Sequence, residues 1–396
     1  MTKFILQLRA ALAAVSLAVI ASLLLLPAGC GKGTDKDGAK SGDKPRSAEP
    51  VKLTVAYLGL TCEAPIFIAD EKGFYKEEGL DVTLRKTDWD GLREGLGKDT
   101  FQANHTLLMY LLKPIEQGAD MKITGGIHTG CLRVQVSTKK DIKSVQELKG
   151  KTIGVPTHIG SPPYMFASRV LAANNINPDP VNGEVKWKPF PPDVLGKAVD
   201  EGLVDAVATS DPIGTILVGK GLVKTIADQS SDAPYAEEYC CVSVVSGALL
   251  RRDPAAAAKV TRALFKGAMW VCENPAPAAT ICVEKKYIAA SVEINTQALS
   301  KLKYVPGVAK CKDSLQQAAK EMKLAGLLQP TTDADALARR AWQDLDGVTD
   351  EWVQGLKVEA ASRSRPRLLD APAFAALFEG PDANGSCKCC CRCCIE

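Results

Sequence analysis

The sequence predicts an α/β protein of two lobes, each a parallel-rich sheet flanked by helices, with a ligand cleft between the lobes. Three observations carry that reading. Strand-length apolar runs alternate with helix-length segments, the pattern of parallel strands joined by crossover helices and covered on both faces. The alternation runs through once from Val51 and restarts at Thr152. A last strand pattern at Cys241–Ser246 is followed by a mostly helical segment from Pro254 to Leu356, as in a chain that returns to its first lobe.

The first unit is the most informative. Val51–Tyr57 reads as a strand and Leu60-Thr-Cys-Glu-Ala-Pro65 as a loop. A helix from Ile66 follows, and Leu80, Val82 and Leu84 alternate as a second strand. Gly73 and Gly79 stand where left-handed residues end turns. A loop that opens a helix beyond a strand's carboxyl end aims backbone N–H groups at whatever lies above the sheet, a good place for a small ligand.

Trp89–Leu96 is a short helix, Phe101–His105 a strand end, and Met121–Ile127 and Val134–Ser137 further strands. The second run reads strand Thr152–Val155, loop Pro156–Pro163, helix Tyr164–Ala173, strand Val185–Phe190 and helix Pro192–Glu201. Strand Val204–Thr209, helix Pro212–Lys220 and strand Leu222–Ala227 complete it. Asp253–Cys272, Ser314–Ala325 and Asp333–Leu345 carry apolar stripes at helical spacing, read as packing faces.

At the N-terminus Lys3 and Arg9 precede an almost uncharged run from Ala10 to Leu26 and then Pro27-Ala-Gly-Cys30. This predicts a secretory signal over 1–29, with Cys30 as the lipidated first residue of the mature chain. A run of about 17 apolar residues is marginal for a membrane span. Residues 30–50, rich in Gly, Lys, Asp and Ser, are a flexible tether. The expected division is 51–136 for the first part of lobe 1 and 137–242 for lobe 2. Residues 243–356 return to lobe 1 and the C-terminal helices, and 357–396 form a loosely ordered Cys-rich tail. The chain would cross between lobes near Val136 and Val242.

The formal charge of +3 over 396 residues includes Lys3 and Arg9, so the mature chain is close to neutral, and no nucleic-acid partner is expected. Nothing resembles a nucleophile with its base, a zinc-protease H-E-x-x-H or a phosphate loop, so no enzyme is expected. His105, His128 and His158 are the only histidines, and all fall at loop or strand-end positions toward the cleft.

Of the 14 cysteines, Cys62, Cys131 and the pair Cys240-Cys241 map to strand-end loops facing the cleft. They could pack as small buried residues, form a disulfide, or hold a soft metal. Cys272 and Cys282 flank a helix break and could bridge locally. Cys387, Cys389, Cys390, Cys391, Cys393 and Cys394 crowd eight residues with Lys388 and Arg392. Such dense thiolate suits Cu, Zn or Fe, although a tail that simply oxidises to disulfides is equally compatible.

Gly73-Phe-Tyr-Lys-Glu-Glu-Gly-Leu-Asp-Val82 after an A-P-x-x-x-A helix resembles the first unit of the nitrate/sulfonate/bicarbonate class of ABC-importer solute-binding proteins. The loop Leu60-Thr-Cys-Glu-Ala-Pro65 is similar to that of the nitrate and bicarbonate binders, as are Trp89 with Leu92-Arg93, Ala103-Asn-His105, Pro191-Pro192 and Asp211-Pro212. The resemblance covers most of Val51 to Leu249 and implies a type II periplasmic-binding-protein fold. It implies a small polar solute bound between the lobes, ABC permease and ATPase subunits as partners, and a membrane-anchored lipoprotein in the periplasm or at the cell surface.

On this resemblance Thr61, Cys62 and Glu63 of the first loop would meet ligand, with Trp89 and His105 beside them. Thr129 and Cys131, His158 and Ser161, Asp211, and Cys240 with Cys241 would complete the lining. The chain departs from the nitrate pattern where it opens the second-lobe helix with Gly160-Ser-Pro-Pro163 and precedes the return strand with Glu237-Glu-Tyr-Cys-Cys241, supplying no lysine. A neutral or cationic solute, such as a pyrimidine-like one, is therefore expected over nitrate. The tail weakly resembles the C-C-C-x-C iron-binding element of the thiamine-pyrimidine synthases, which share this fold. An enzyme of that kind, or a metal-binding protein on the same lobes, is the alternative.

Overall fold

The computed structural model describes residues 49–358; Cys30, the signal predicted over 1–29 and the cysteines from Cys387 to Cys394 lie outside them. Ten strands form two five-stranded sheets among the described residues. They are β1 (Val51–Tyr57), β2 (Leu80–Lys86), β3 (Ala103–Leu107), β4 (Met121–Thr129), β5 (Leu132–Ser137), β6 (Thr152–Pro156), β7 (Lys186–Phe190), β8 (Ala206–Ser210), β9 (Val223–Asp228) and β10 (Tyr239–Ser246).

β1 and β2 pair in parallel from Val51 opposite Leu80 to Tyr57 opposite Lys86. The chain between them is the expected loop and helix, a short 3-10 turn Thr61–Glu63 leading into Ala64–Glu71. Gly73 and Gly79 have φ of 78° and 72°, and a Cβ at Gly73 would touch nothing within 4 Å, so there the backbone conformation alone favours glycine.

The first sheet runs β2-β1-β3-β10-β4 and the second β7-β6-β8-β5-β9. In each, the strands joined by crossover helices are parallel, whereas the strand lying beside the other passage of the chain is antiparallel to its neighbours. The sheets are thus mixed, within the α/β class that the alternation predicts.

The change of sheet falls at Gly130-Cys131 and again between Asp228 and Tyr239, on the N-terminal side of Val136 and Val242. Gly130 has φ of 71°, and a Cβ there would lie 2.6 Å from Cβ and 2.7 Å from Cα of Ser230. The two passages therefore press on each other at a residue that must be glycine on both counts.

Helix Leu108–Glu116 was not predicted. Leu108 to Leu112 are all buried and run on from β3 without a side-chain cap to mark the helix start, while Lys113 and Glu116 face partly outward. Helix Pro254–Glu273 crosses Ala64–Glu71 closely enough that a Cβ on Gly267 would stand 2.4 Å from the Pro65 carbonyl oxygen. Among the described residues no helix is long and apolar enough to cross a membrane.

Candidate functional site

The loop after β1 is held from within. Both carboxylate oxygens of Glu63, which is buried, accept backbone N–H bonds, from Leu58 at 3.0 Å, Gly59 at 2.7 Å and Leu60 at 2.9 Å. Burial raises the Glu63 carboxyl to about 8, with the neighbouring Cys62 adding to it against the pull of those N–H groups. Thr61 Oγ1 donates to Asn295 Oδ1 at 2.7 Å, and the Tyr304 hydroxyl donates to the Cys62 carbonyl at 3.2 Å. Thr61 and Glu63 thus spend their side chains on the protein, and the loop presents Cys62 inward.

Cys62 meets three other donors. The ligating atoms of Cys62, His128, Cys131 and Cys241 all lie within 4.8 Å of one another, and all four residues are buried. Cys131 Sγ is 3.7 Å from Cys241 Sγ and 3.9 Å from His128 Nε2. Backbone geometry explains the convergence. β10 pairs with β4 so that Cys241 stands opposite His128, and the turn at Gly130 swings Cys131 back over the end of β4. His128 Nδ1 lies 3.3 Å from the Thr129 carbonyl, so with its proton there Nε2 is the nitrogen that faces Cys131. Cys62, Cys131, Cys240, Cys241, Cys282 and Cys311 carry free thiols, and the bridge between Cys272 and Cys282 is not formed.

The electrostatics favour an imidazolium beside thiolate. Burial pushes His128 down, but the Cys131 and Cys62 sulfurs outweigh it and bring the imidazole up to about 10. The hydrogen bond from Cys131 is the main reason Cys62 rises to about 11. Burial pushes Cys131 up, and hydrogen bonds from Cys241 and Cys62 hold it below the ordinary thiol value. Cys240 sits at about 7, where hydrogen bonds to Cys131 and Cys241 overcome burial. The group therefore carries thiolate readily at some sulfurs and resists more, as closely spaced like charges must. His105, on β3 opposite Ser243, has its ring 5.3 Å from that of His128, and neither nitrogen has a hydrogen-bond partner among the described residues. Burial first, then His128, holds it well below the usual histidine value, so it is neutral.

The second sheet carries a charged pair that the sequence reading missed. Arg133 on β5 donates from Nη1 and Nη2 to Asp211 at 2.9 and 2.8 Å and from Nε to Asp228 at 3.1 Å. Asp211 also accepts the Thr215 N–H at 3.0 Å, so its carboxylate is fully engaged. Arg169, on helix Pro162–Ala173, donates to Glu238 at 2.7 Å and to Glu321 at 2.6 and 2.9 Å. Glu237 is exposed and pairs with Lys310 at 3.0 Å.

Of the remaining expected positions, Trp89 packs on Tyr110 with ring centroids 4.7 Å apart, and the Tyr110 hydroxyl donates to its carbonyl at 2.7 Å. His158 is half-buried in the loop before Ser161. Among the described residues neither Trp89 nor His158 makes a ring contact or hydrogen bond with the cysteine cluster. Thr129 Oγ1, Ser161 Oγ, Gln229 Oε1 and Glu238 Oε1 are buried without a partner among the described residues. The signal that could have singled out His128 is the H-x-x-C spacing from His128 to Cys131, close enough to place two donors on one turn. Nothing local marked Arg133 or Arg169, whose partners are distant in sequence.

The nitrate/nitrite binding protein of Synechococcus elongatus is 25% identical over 292 residues, covering 66% of this chain and 65% of its own. The chain thus spans just under two thirds of that relative's length. The periplasmic nitrate-binding protein of Synechocystis superposes with a TM-score of 0.62 at 19% identity, over 78% of this chain and 90% of that one. The alkanesulfonate-binding protein of Xanthomonas axonopodis, bound to MOPS, superposes with a TM-score of 0.61 at 18% identity, over 75% and 99%. These superpositions show the periplasmic-binding-protein fold. The profile of the NMT1-like family matches residues 46–284, more than half of the 396, and the chain belongs to that family.

Proposed function

We propose that the chain is a solute-binding protein of an ABC importer, exported, tethered through lipid on Cys30, and closing its two lobes on a small polar solute. The observation that carries this reading is the set of buried polar atoms without protein partners around the two passages. Thr129 Oγ1 comes from the end of β4, Ser161 Oγ from the start of the second-sheet helix, and Gln229 Oε1 and Glu238 Oε1 from the second passage. Buried hydroxyls and carboxylates are costly unless something bonds them, and a solute with donors and acceptors would do so. Family membership and the two-passage topology support the same reading.

The charge balance favours a neutral solute over nitrate. Among the described residues Arg133 and Arg169 are the buried arginines, and each already faces two carboxylates, while the His128 imidazole is turned to the Cys131 and Cys62 sulfurs. Neither is spare for an oxyanion, and no lysine precedes β10. Asp211, Asp228, Glu238 and Glu321 are paired with these arginines in turn, so a cation gains little from them.

Thermal-shift measurements on the full chain with nitrate, bicarbonate, an alkanesulfonate and neutral pyrimidine-type bases, followed by calorimetry, test this. A neutral ligand should raise the melting temperature, with Ser161→Ala weakening it roughly fivefold for one lost hydrogen bond. Micromolar nitrate binding would overturn the charge argument. Absence of any retained solute by native mass spectrometry of protein from its own host, with no thermal shift, would overturn the binding function.

A further inference from the structure

We propose that Cys62, His128, Cys131 and Cys241 bind one soft transition-metal ion, with Zn2+ the best fit, in a closed four-coordinate site at the junction of the two sheets. This goes beyond the solute reading and does not depend on it.

The spacing is that of a ligand tetrahedron. With zinc–sulfur bonds of about 2.3 Å and zinc–nitrogen bonds of about 2.0 Å, tetrahedral edges are about 3.8 Å between sulfurs and about 3.6 Å from sulfur to nitrogen. Cys131 and Cys241 are 3.7 Å apart, Cys131 and His128 3.9 Å, and no separation among the four exceeds 4.8 Å. A disulfide is a different geometry, since bonded sulfurs stand about 2.05 Å apart, and a bridge between two of these thiols would leave the third beside His128.

Chance packing of small thiols explains burial but not aim. The donors come from three separate stretches of the chain: the turn after β1, the end of β4 with the passage that follows it, and the start of β10. All four point to one spot. His128 is oriented as a ligand should be, with Nδ1 on the Thr129 carbonyl and Nε2 turned inward, the arrangement that fixes a metal-bound imidazole. The Tyr304 hydroxyl on the Cys62 carbonyl steadies the opposite corner, and the Tyr304 ring lies 4.8 Å from that of His128.

Four protein donors and complete burial leave no open coordination position, which is the mark of a resident ion and not of an exchanging cargo. Its effect would be mechanical. Cys131 lies in one passage and Cys241 follows the other, so an ion joining them to Cys62 and His128 ties both passages to the first sheet.

The test uses the full chain with Cys30 and the six cysteines from Cys387 to Cys394 changed to serine, so that only the body can bind. The reduced, metal-stripped protein is titrated with Co2+ and then Zn2+. One equivalent of cobalt should give the intense visible absorption of a tetrahedral thiolate complex, zinc should displace it, and zinc-edge absorption should report three sulfurs and one nitrogen. Cys241→Ser and His128→Ala should each lower occupancy at least tenfold, and Cys272→Ser should leave it unchanged. If Cys241→Ser fails to fold, the cobalt titration of the protein with the cluster intact still decides. A folded, reduced protein that gives no cobalt spectrum overturns the proposal. So does equal occupancy in the cluster variants, or an ion bound by sulfur alone without His128.

Discussion

Both η-nitrogens of Arg133, on β5 of the second sheet, donate to the two carboxylate oxygens of Asp211, at 2.9 and 2.8 Å, with both side chains buried. Removing the acid leaves a buried guanidinium held only by Asp228. Asp211→Ala should therefore cost about 3 to 5 kcal/mol in unfolding free energy. Urea denaturation measures it, and a loss below about 1 kcal/mol would mean that the pair is readily replaced by water.

Arg169 joins three places: its own helix, Glu238 beside the second passage, and Glu321 on the helix Ala309–Leu324. Arg169→Met should destabilise by about 3 kcal/mol, because two carboxylates lose their cation in a buried setting. It should also loosen the hold between the second-sheet helix and the returning segment, seen as a larger radius of gyration in X-ray scattering. Unchanged scattering with unchanged stability would sink the idea that this triad latches the lobes.

Gly130→Ala places a Cβ 2.6 Å from Ser230 on a residue with φ of 71°. Strain and overlap together should cost about 2 kcal/mol or more. Gly73→Ala, with the same sign of φ but open space, should cost less, about 1 kcal/mol. Equal losses for the two would show that contact between the passages contributes nothing.

Glu78 predicts a pH effect. Burial raises its carboxyl, but hydrogen bonds from Arg262 and Lys266, at 2.7 to 2.9 Å, outweigh that and hold it below the ordinary glutamate value. A depressed folded value means that the stabilisation is complete above the unfolded carboxyl's titration and is lost as pH falls through the folded one. Glu78→Gln should thus be about 1 to 2 kcal/mol less stable than the parent at neutral pH, a gap that closes in acid. A gap that stays constant from about pH 7 to about pH 3 would contradict this reading.

Most of the fold was legible in the sequence. β1 matches its expected limits, and Gly73 and Gly79 are left-handed as the turn pattern requires, because these features depend on residues near one another in the chain. Helix Leu108–Glu116 escaped because its first residues continue the apolar run of β3 with no capping residue to mark a helix start. The sequence also placed Cys62, Cys131 and Cys241 at strand ends, since strand termini can be read from local pattern. Only the tertiary structure decided that their sulfurs and His128 Nε2 share one small volume. It also assigned Asp211 to Arg133 and Glu238 to Arg169. Those outcomes depend on the register of β10 against β4, on the turn at Gly130, and on side chains 69 to 110 positions apart. Local propensity specifies which segments are strands, but which side chains meet is settled by the packing of whole sheets, where burial free energy selects one register from many.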